Sequence, residues 1–175
     1  VPIGEWVLRE AIAEAAKWPR ELRVAINVSS IQFQRGNVVA TIMNALGSAG
    51  MAPERVEIEI TESVFFENSA PNLDALRQLH ALGLKIALDD FGTGFSALSY
   101  LLSYPFDKIK IDGGFVRALD NALGAQTIVR AVAEIGHGMG IVTTAEGIET
   151  AAQLRNVHAA GYSEAQGFLI ARPMP

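Results

Sequence analysis

Ile86-Ala87-Leu88-Asp89-Asp90 is the stretch that indicates the fold, since three apolar residues lead directly into two carboxylates. A short run that is apolar on both faces is typical of a buried strand in a parallel sheet. Four other stretches also end a β-forming run on a polar functional side chain: residues 24–27, 56–59, 109–112 and 142–146. A parallel barrel gathers the carboxyl ends of its strands on one face. We therefore expect an amide, carboxylates and a lysine to converge there, a set suited to divalent metals and phosphate.

Strand and helix patterns alternate six times, which predicts an α/β fold with a parallel sheet. Predicted helices cover residues 5–18, 37–49, 69–82, 96–102, 121–139 and 150–160, and predicted strands cover 23–29, 56–61, 85–90, 108–112, 141–145 and 164–170. Gly50, Gly83, Gly140 and Gly161 each follow a helix, where glycine readily adopts the left-handed conformation. A doubly wound sheet also fits this alternation. A TIM-type (β/α)8 barrel is favoured because nearly every strand end carries a polar candidate. Six strands are too few to close it.

Composition excludes several classes of function. The 175 residues, half of them apolar, suffice for one domain with its own core. With 19 acidic and 14 basic side chains the net charge is −5, which disfavours a polynucleotide partner. The absence of cysteine excludes disulfides and thiolate chemistry. With no membrane-length apolar run and no signal-peptide pattern, we expect a cytoplasmic domain without direct membrane contact, alone or as the cytoplasmic part of a larger, membrane-attached protein.

Three motifs have both a functional and a structural interpretation. Asp89-Asp90-Phe91-Gly92-Thr93-Gly94 could hold cations or could place Asp90 as a helix cap, although a cap needs only one aspartate. Glu57 and Glu59 share a strand face, which could line a site or form a solvated acidic side of an edge strand. Lys108, Lys110 and Asp112 also share a face. There Lys110 could orient metal-bound water, pair with a carboxylate, or do both.

Six motifs in order give the chain a resemblance to a known family. They are Asn27-Val28-Ser29 with Gln32-Phe33, Glu59-Ile60-Thr61-Glu62-Ser63, Asp89-Asp90-Phe91-Gly92-Thr93-Gly94, Lys108-Ile109-Lys110-Ile111-Asp112, Ala145-Glu146-Gly147-Ile148-Glu149-Thr150 and Gln166-Gly167-Phe168. Over its whole length the chain resembles the EAL domain, which hydrolyses cyclic di-GMP to linear pGpG with Mg²⁺ or Mn²⁺ on a (β/α)8-type barrel. The resemblance thus implies a bacterial signalling phosphodiesterase.

The resemblance also implies roles for individual residues. The implied metal ligands are Asn27, Glu59, Asp89, Asp90 and Glu146. Lys110 is implied to hold or deprotonate the attacking water, with Glu146 and Gln166 beside it in catalysis. Support of the substrate or of a nearby loop is implied for Gln32, Glu62, Glu149 and Arg172. Hard oxygen ligands favour Mg²⁺ or Mn²⁺ over zinc.

One departure from the family pattern affects these expectations. The Glu-Ala-Leu signature is absent and is expected upstream of Val1, so residues 1–175 are interpreted as an EAL domain lacking its first two strands and last helix. Alone, such a chain is expected to be inactive. We also expect a homo-oligomer, through exposed edges at the strands containing Ala25 and Phe168 or through an EAL dimer. A non-catalytic cyclic di-GMP receptor and an enolase-like barrel remain alternatives, although paired Asp89 and Asp90 favour two metals over the latter.

Overall fold

The computed structural model describes residues 1–65, 69–93, 101–102, 104–119 and 122–174. Helices and strands alternate through these residues. The helices are α1 (Pro2–Ala15), α2 (Ser30–Arg35), α3 (Val38–Ala49), α4 (Ser69–Ala81), α5 (Gly113–Arg117), α6 (Leu123–Met139) and α7 (Ala151–Ala160). The strands are β1 (Val24–Asn27), β2 (Val56–Thr61), β3 (Lys85–Phe91), β4 (Lys108–Ile111), β5 (Val142–Ala145) and β6 (Glu164–Ala165). They are hydrogen-bonded neighbours in chain order.

The first of two compact units comprises Val1–Ala87 and Tyr100–Pro105. Its strands β1 and β2 pair in parallel. Helix α1 packs against α3, and both helices turn apolar side chains such as Ile12 and Ile42 fully inward. The Arg55 guanidinium donates to the carbonyl of Ala15 at the end of α1, at 2.8 Å, and to three carbonyls of the segment that follows, those of Trp18, Pro19 and Leu22. These contacts fix the segment from which β1 begins.

The second unit comprises Leu88–Ser99 and Phe106–Pro175. Strand β3 begins in the first unit and ends in this one. Strands β4 and β5 pair in parallel, as do β5 and β6, with Lys110 opposite Thr144 and Thr144 opposite Glu164. Helix α6 packs on β4 and β5, and its buried side chains include Val129 and Val132. Each strand therefore carries its carboxyl end to the same edge as its parallel neighbour.

The helix ends predicted from glycine are confirmed. Gly50, Gly140 and Gly161 cap α3, α6 and α7 with φ angles of 61°, 68° and 94°, and Gly83 after α4 has a φ of 101°. A left-handed residue lets the backbone donate to the last helical carbonyls while the chain turns into the next strand. Among the described residues, no helix combines the length and apolar character needed to cross a bilayer.

Several predicted elements differ from the structure. The last strand, predicted for residues 164–170, ends at Ala165, because the backbone turns at Gly167, whose carbonyl accepts from Ile170 and Ala171. Helix α1 starts and ends three residues earlier than predicted. The helices α2 and α5 were not predicted. Gly94, Asn121 and most of the helix predicted for residues 96–102 lie outside the described residues.

Candidate active site

Three carboxylates meet in the second unit. Asp89 and Asp90 lie at the end of β3, and Glu146 follows β5 directly. One oxygen from each lies within 4.8 Å of the others, with Asp89 buried and the other two half-buried. Among the described residues, these three carboxylates form the one group of acidic or histidine side chains that are close enough together to hold a metal ion. Its hard oxygen donors suit Mg²⁺ or Mn²⁺.

The Lys110 ammonium lies inside this acidic group. Its Nζ atom is 2.6 Å from Glu146 Oε1 and 3.3 Å from Asp89 Oδ1, and its side chain is only 5% exposed. Burial of an ammonium is costly unless carboxylates compensate it. One ammonium among three carboxylates leaves two negative charges in excess, which matches the charge of one divalent cation. The structural interpretation of Lys110 as an ion pair is thus confirmed, and it is compatible with a catalytic role.

Asp90 has an unusual backbone conformation. Its φ is 53°, and no other non-glycine residue in the described ranges has a positive φ. The left-handed region costs such a residue about 1–2 kcal/mol. Thr93 holds the turn, because its N–H and its hydroxyl both donate to the Asp90 carbonyl, at 3.3 and 2.9 Å. Successive residues of a regular strand point to opposite faces. The turn at Asp90 lets two successive carboxylates join one cluster.

The first unit has its own polar strand ends. Asn27 on β1 is paired in register with Glu59 on β2, and the Val28 N–H donates to the Glu59 carbonyl at 2.9 Å. Glu57 and Glu59 are only 6% and 7% exposed. The alternative of a solvated acidic strand face is therefore wrong. Buried carboxylates require compensating charge or hydrogen bonds, so this face of β2 lies inside the protein and not at a solvated edge.

The order of these motifs matches a known family along nearly the whole chain. The family described as the EAL domain matches residues 1–173. The chain belongs to the EAL domain family. The sequence-based recognition is confirmed, as is the α/β fold of an incomplete TIM-type barrel with six parallel strands.

Relatives of this EAL domain include enzymes and their complexes. The structure "PaMucR Phosphodiesterase, c-di-GMP complex" is 38% identical with a TM-score of 0.94, and the match covers 99% of this chain and 72% of that chain. The manganese/cy-diGMP complex of Klebsiella pneumoniae BlrP1 is 33% identical with a TM-score of 0.90, over 98% of this chain and 44% of that one. Cyclic di-GMP phosphodiesterase PdeR of Escherichia coli is 36% identical over 178 residues, which is 100% of this chain and 27% of that protein. The chain spans between 21% and 30% of the length of the compared curated relatives.

Two polar residues of the EAL motifs lie next to helix starts. Asp112 was expected at the strand end with Lys110, but β4 ends at Ile111 and Asp112 Oδ1 instead accepts from the Gly114 N–H at 2.8 Å, capping α5. Glu149 immediately precedes Thr150, the cap residue of α7, and its side chain is exposed. Its predicted support of the site stays a prediction.

Three further residues predicted to support substrate or a loop have defined surroundings. Gln32 is buried and caps α2, with its Oε1 accepting from the Ser29 N–H at 3.2 Å and hydroxyl at 3.1 Å. Glu62 is 5% exposed in the short 3₁₀ turn after β2. The Arg172 guanidinium lies 4.6 Å from the centre of the Phe168 ring, a cation–π contact. The predicted roles of these three residues stay predictions.

Gln166 is held against the segment that follows Glu146. Its N–H donates to the Ala145 carbonyl at 2.9 Å, and its carbonyl accepts from the Ile148 N–H at 3.0 Å. The next residue, Gly167, approaches the Ile148 backbone so closely that a Cβ atom would overlap it. Glycine at this position therefore allows the two segments to pack together, and this keeps Gln166 beside the Glu146 segment.

Gly167→Ala is expected to destabilise the domain by about 1–3 kcal/mol, because the added methyl group has to displace backbone rather than a movable side chain. Urea denaturation measures the change. Gly138→Ala is a matched control, since nothing lies within 4 Å of a Cβ added there and alanine favours the interior of α6. Equal midpoints for the two variants would contradict the close packing inferred at Gly167.

Proposed function

We propose that the EAL domain containing this chain hydrolyses cyclic di-GMP to linear pGpG. The single observation that carries the proposal is the group of Asp89, Asp90 and Glu146 carboxylates around Lys110. The choice of substrate is supported by the similarity to the PaMucR phosphodiesterase and to BlrP1, both solved as complexes with this dinucleotide. The reaction adds water to phosphorus and breaks one phosphoester bond, so one phosphate becomes terminal.

Divalent metal is the proposed cofactor, as Mg²⁺ or Mn²⁺. The two excess negative charges around Lys110 and the hard oxygen donors of Asp89, Asp90 and Glu146 fit such an ion. In the first unit, Asn27 and Glu59 are proposed as further ligands, supported by their pairing at the ends of adjacent strands. When bound, such ions supply a lowered pKa of water and charge stabilisation of the phosphate oxygens.

Lys110 is proposed as the residue that holds the attacking water or helps its deprotonation: its ammonium donates a hydrogen bond to the water, and the proton of the water passes to one of the neighbouring carboxylates. Its ammonium reaches both Asp89 and Glu146, so it is fixed where a nucleophile bound to the carboxylate group would lie. Gln166 is proposed to help position that water, supported by its backbone contacts with the segment around Glu146. A hydrogen-bond donor that is already held in place, as the Lys110 ammonium is, needs no reorganisation during the reaction and can therefore stabilise the transition state more effectively.

The proposed partner is cyclic di-GMP rather than a polynucleotide, consistent with the net charge of −5. We propose a cytoplasmic location, where an intracellular messenger would be met. A homo-oligomer is proposed as well, in the form of an EAL dimer. Light scattering of the full-length protein measures the oligomeric state directly, and a monomer at all concentrations would contradict that part of the proposal.

The experiment incubates the full-length protein with cyclic di-GMP and Mn²⁺ and separates the products by chromatography. We expect pGpG to form, and we expect EDTA to stop its formation because the carboxylates alone cannot activate water. Binding of cyclic di-GMP is measured in parallel by calorimetry. Binding without pGpG formation would overturn the proposed hydrolysis and favour a receptor. If the protein neither bound nor hydrolysed cyclic di-GMP, the choice of substrate would be overturned.

A further inference from the structure

A second polar cluster lies in the same unit as the carboxylates and consists of Lys108, Thr144 and Glu164; we call it the Glu164 cluster. Glu164 Oε2 is 2.9 Å from Lys108 Nζ and accepts a hydrogen bond from the Thr144 hydroxyl, also at 2.9 Å. One carboxylate oxygen therefore joins strands β4, β5 and β6. The Lys108 side chain is 17% exposed and that of Glu164 is 48% exposed. The cluster is only partly shielded from solvent.

The Glu164 cluster lies beside Lys110 on neighbouring strands. Thr144 on β5 is paired in register with Lys110 on β4, and Glu164 on β6 is paired in register with Thr144. Lys108 lies two residues before Lys110 on β4, and residues two apart on a strand point to the same face, about 7 Å from each other. Thr144 and Glu164 therefore lie level with Lys110, and Lys108 lies one step nearer the amino end of β4.

This relation creates an electrostatic requirement. A lysine ammonium is a compact charge on a flexible four-carbon chain, so it reaches a neighbouring step of the sheet easily. Lys108 shares a face with Lys110, whose ammonium already contacts Asp89 and Glu146. A second ammonium turned towards those carboxylates would halve the charge excess of two that matches a divalent ion. The ion pair with Glu164 draws Lys108 towards β6 instead.

We propose that Glu164 is a positioning residue that keeps the Lys108 ammonium away from the metal-binding carboxylates. The inference rests on the proposed metal site and extends it to a residue that touches neither substrate nor the reacting atoms. Thr144 supports the same carboxylate oxygen by its hydrogen bond but adds no charge. In this proposal the negative charge of Glu164 is what holds Lys108, and the contacts by which Glu164 links β4, β5 and β6 are secondary.

The test measures Mn²⁺ affinity of the full-length protein by calorimetry, with hydrolysis as a second readout. Glu164→Gln keeps a hydrogen-bond acceptor of the same shape and is expected to weaken Mn²⁺ binding about tenfold, since a unit charge has been released near the carboxylates. Lys108→Met should change the Mn²⁺ affinity by no more than about twofold, because a neutral side chain cannot compete with Mn²⁺ for the carboxylates. The double variant Lys108→Met/Glu164→Gln should recover the affinity of Lys108→Met.

Two results would overturn the proposal. A double variant as weak as Glu164→Gln would mean that Glu164 acts by tying strands together. Thr144→Val weakening Mn²⁺ binding as much as Glu164→Gln would mean the same, and this nearly isosteric variant tests the idea even if Glu164→Gln fails to fold. Glu134→Gln, at an exposed position of α6, is the matched control and should not change the affinity. Failure of the proposed function shows differently, as a wild-type protein that binds Mn²⁺ but forms no pGpG.

Discussion

Asp89→Asn is expected to abolish cyclic di-GMP hydrolysis and to weaken Mn²⁺ binding by more than about 100-fold, because a charged ligand shared with Lys110 becomes a neutral amide. The substitution halves the charge excess around Lys110 while hardly changing the size of the side chain. Calorimetry with Mn²⁺ measures the affinity, and chromatography of pGpG measures the activity.

The control for this variant is Asp74→Asn, which makes the same chemical change at an exposed position of α4. It should leave both readouts unchanged. If Asp89→Asn bound Mn²⁺ as the wild-type protein does, then Asp89 would not be a ligand, and the carboxylate group would need another explanation.

Lys110→Ala is expected to lower kcat by about 10²–10⁴-fold, the usual contribution of a positioned proton-transfer group, while cyclic di-GMP remains bound. Mn²⁺ affinity should not fall, because the substitution removes a cation from beside Asp89 and Glu146. Asp89→Asn is thus expected to weaken metal binding and Lys110→Ala is not, although both lower turnover. Rates are measured at saturating substrate, and binding is measured by calorimetry.

Lys17→Ala serves as the control for Lys110→Ala, since Lys17 is an exposed lysine that pairs with Glu14 on α1's surface. Substrate affinity and kcat falling together in Lys110→Ala would indicate a residue that anchors the substrate. The proposed role in holding water would then be withdrawn.

Strong local signals allowed much of the fold to be predicted. Strand β2 has the predicted limits, because its alternation of apolar residues with Glu57 and Glu59 is bounded by a turn before it and by Glu62 after it. The final strand was extended too far because Phe168, Leu169 and Ile170 are an apolar run like that of a strand. Their exposure, 52%, 41% and 58%, follows from the turn at Gly167, a tertiary packing effect that the run itself does not reveal.

The two missed helices differ in how visible they were. Ser29 and Gln32 form a capping box at the start of α2, a Ser-x-x-Gln signature that the sequence displays. Helix α5 begins with Gly113 and Gly114, residues of poor helix propensity, and depends on the Asp112 cap. Its five residues give too little periodicity for recognition.

The part of the candidate site that lies at strand ends was predictable, because one rule about parallel strands applies to all of them. Parallel strands carry their carboxyl ends to one edge, so the meeting of Lys110 with Asp89 and Glu146 could be foreseen. Whether Lys110 forms an ion pair with these carboxylates could be decided only from interatomic distances. Glu164 was not identified because no motif includes it, although its position two residues before Gln166 is plain in the sequence.

The left-handed turn at Asp90 leaves little freedom to evolution or to protein engineering. Glycine would relax the backbone there but would remove an oxygen donor from the cluster, and asparagine tolerates the conformation but lacks the charge. Aspartate is the residue that meets both demands, at the expense of conformational strain. A search for stabilising substitutions would select replacements at this position, and each would trade catalytic competence for a more durable fold.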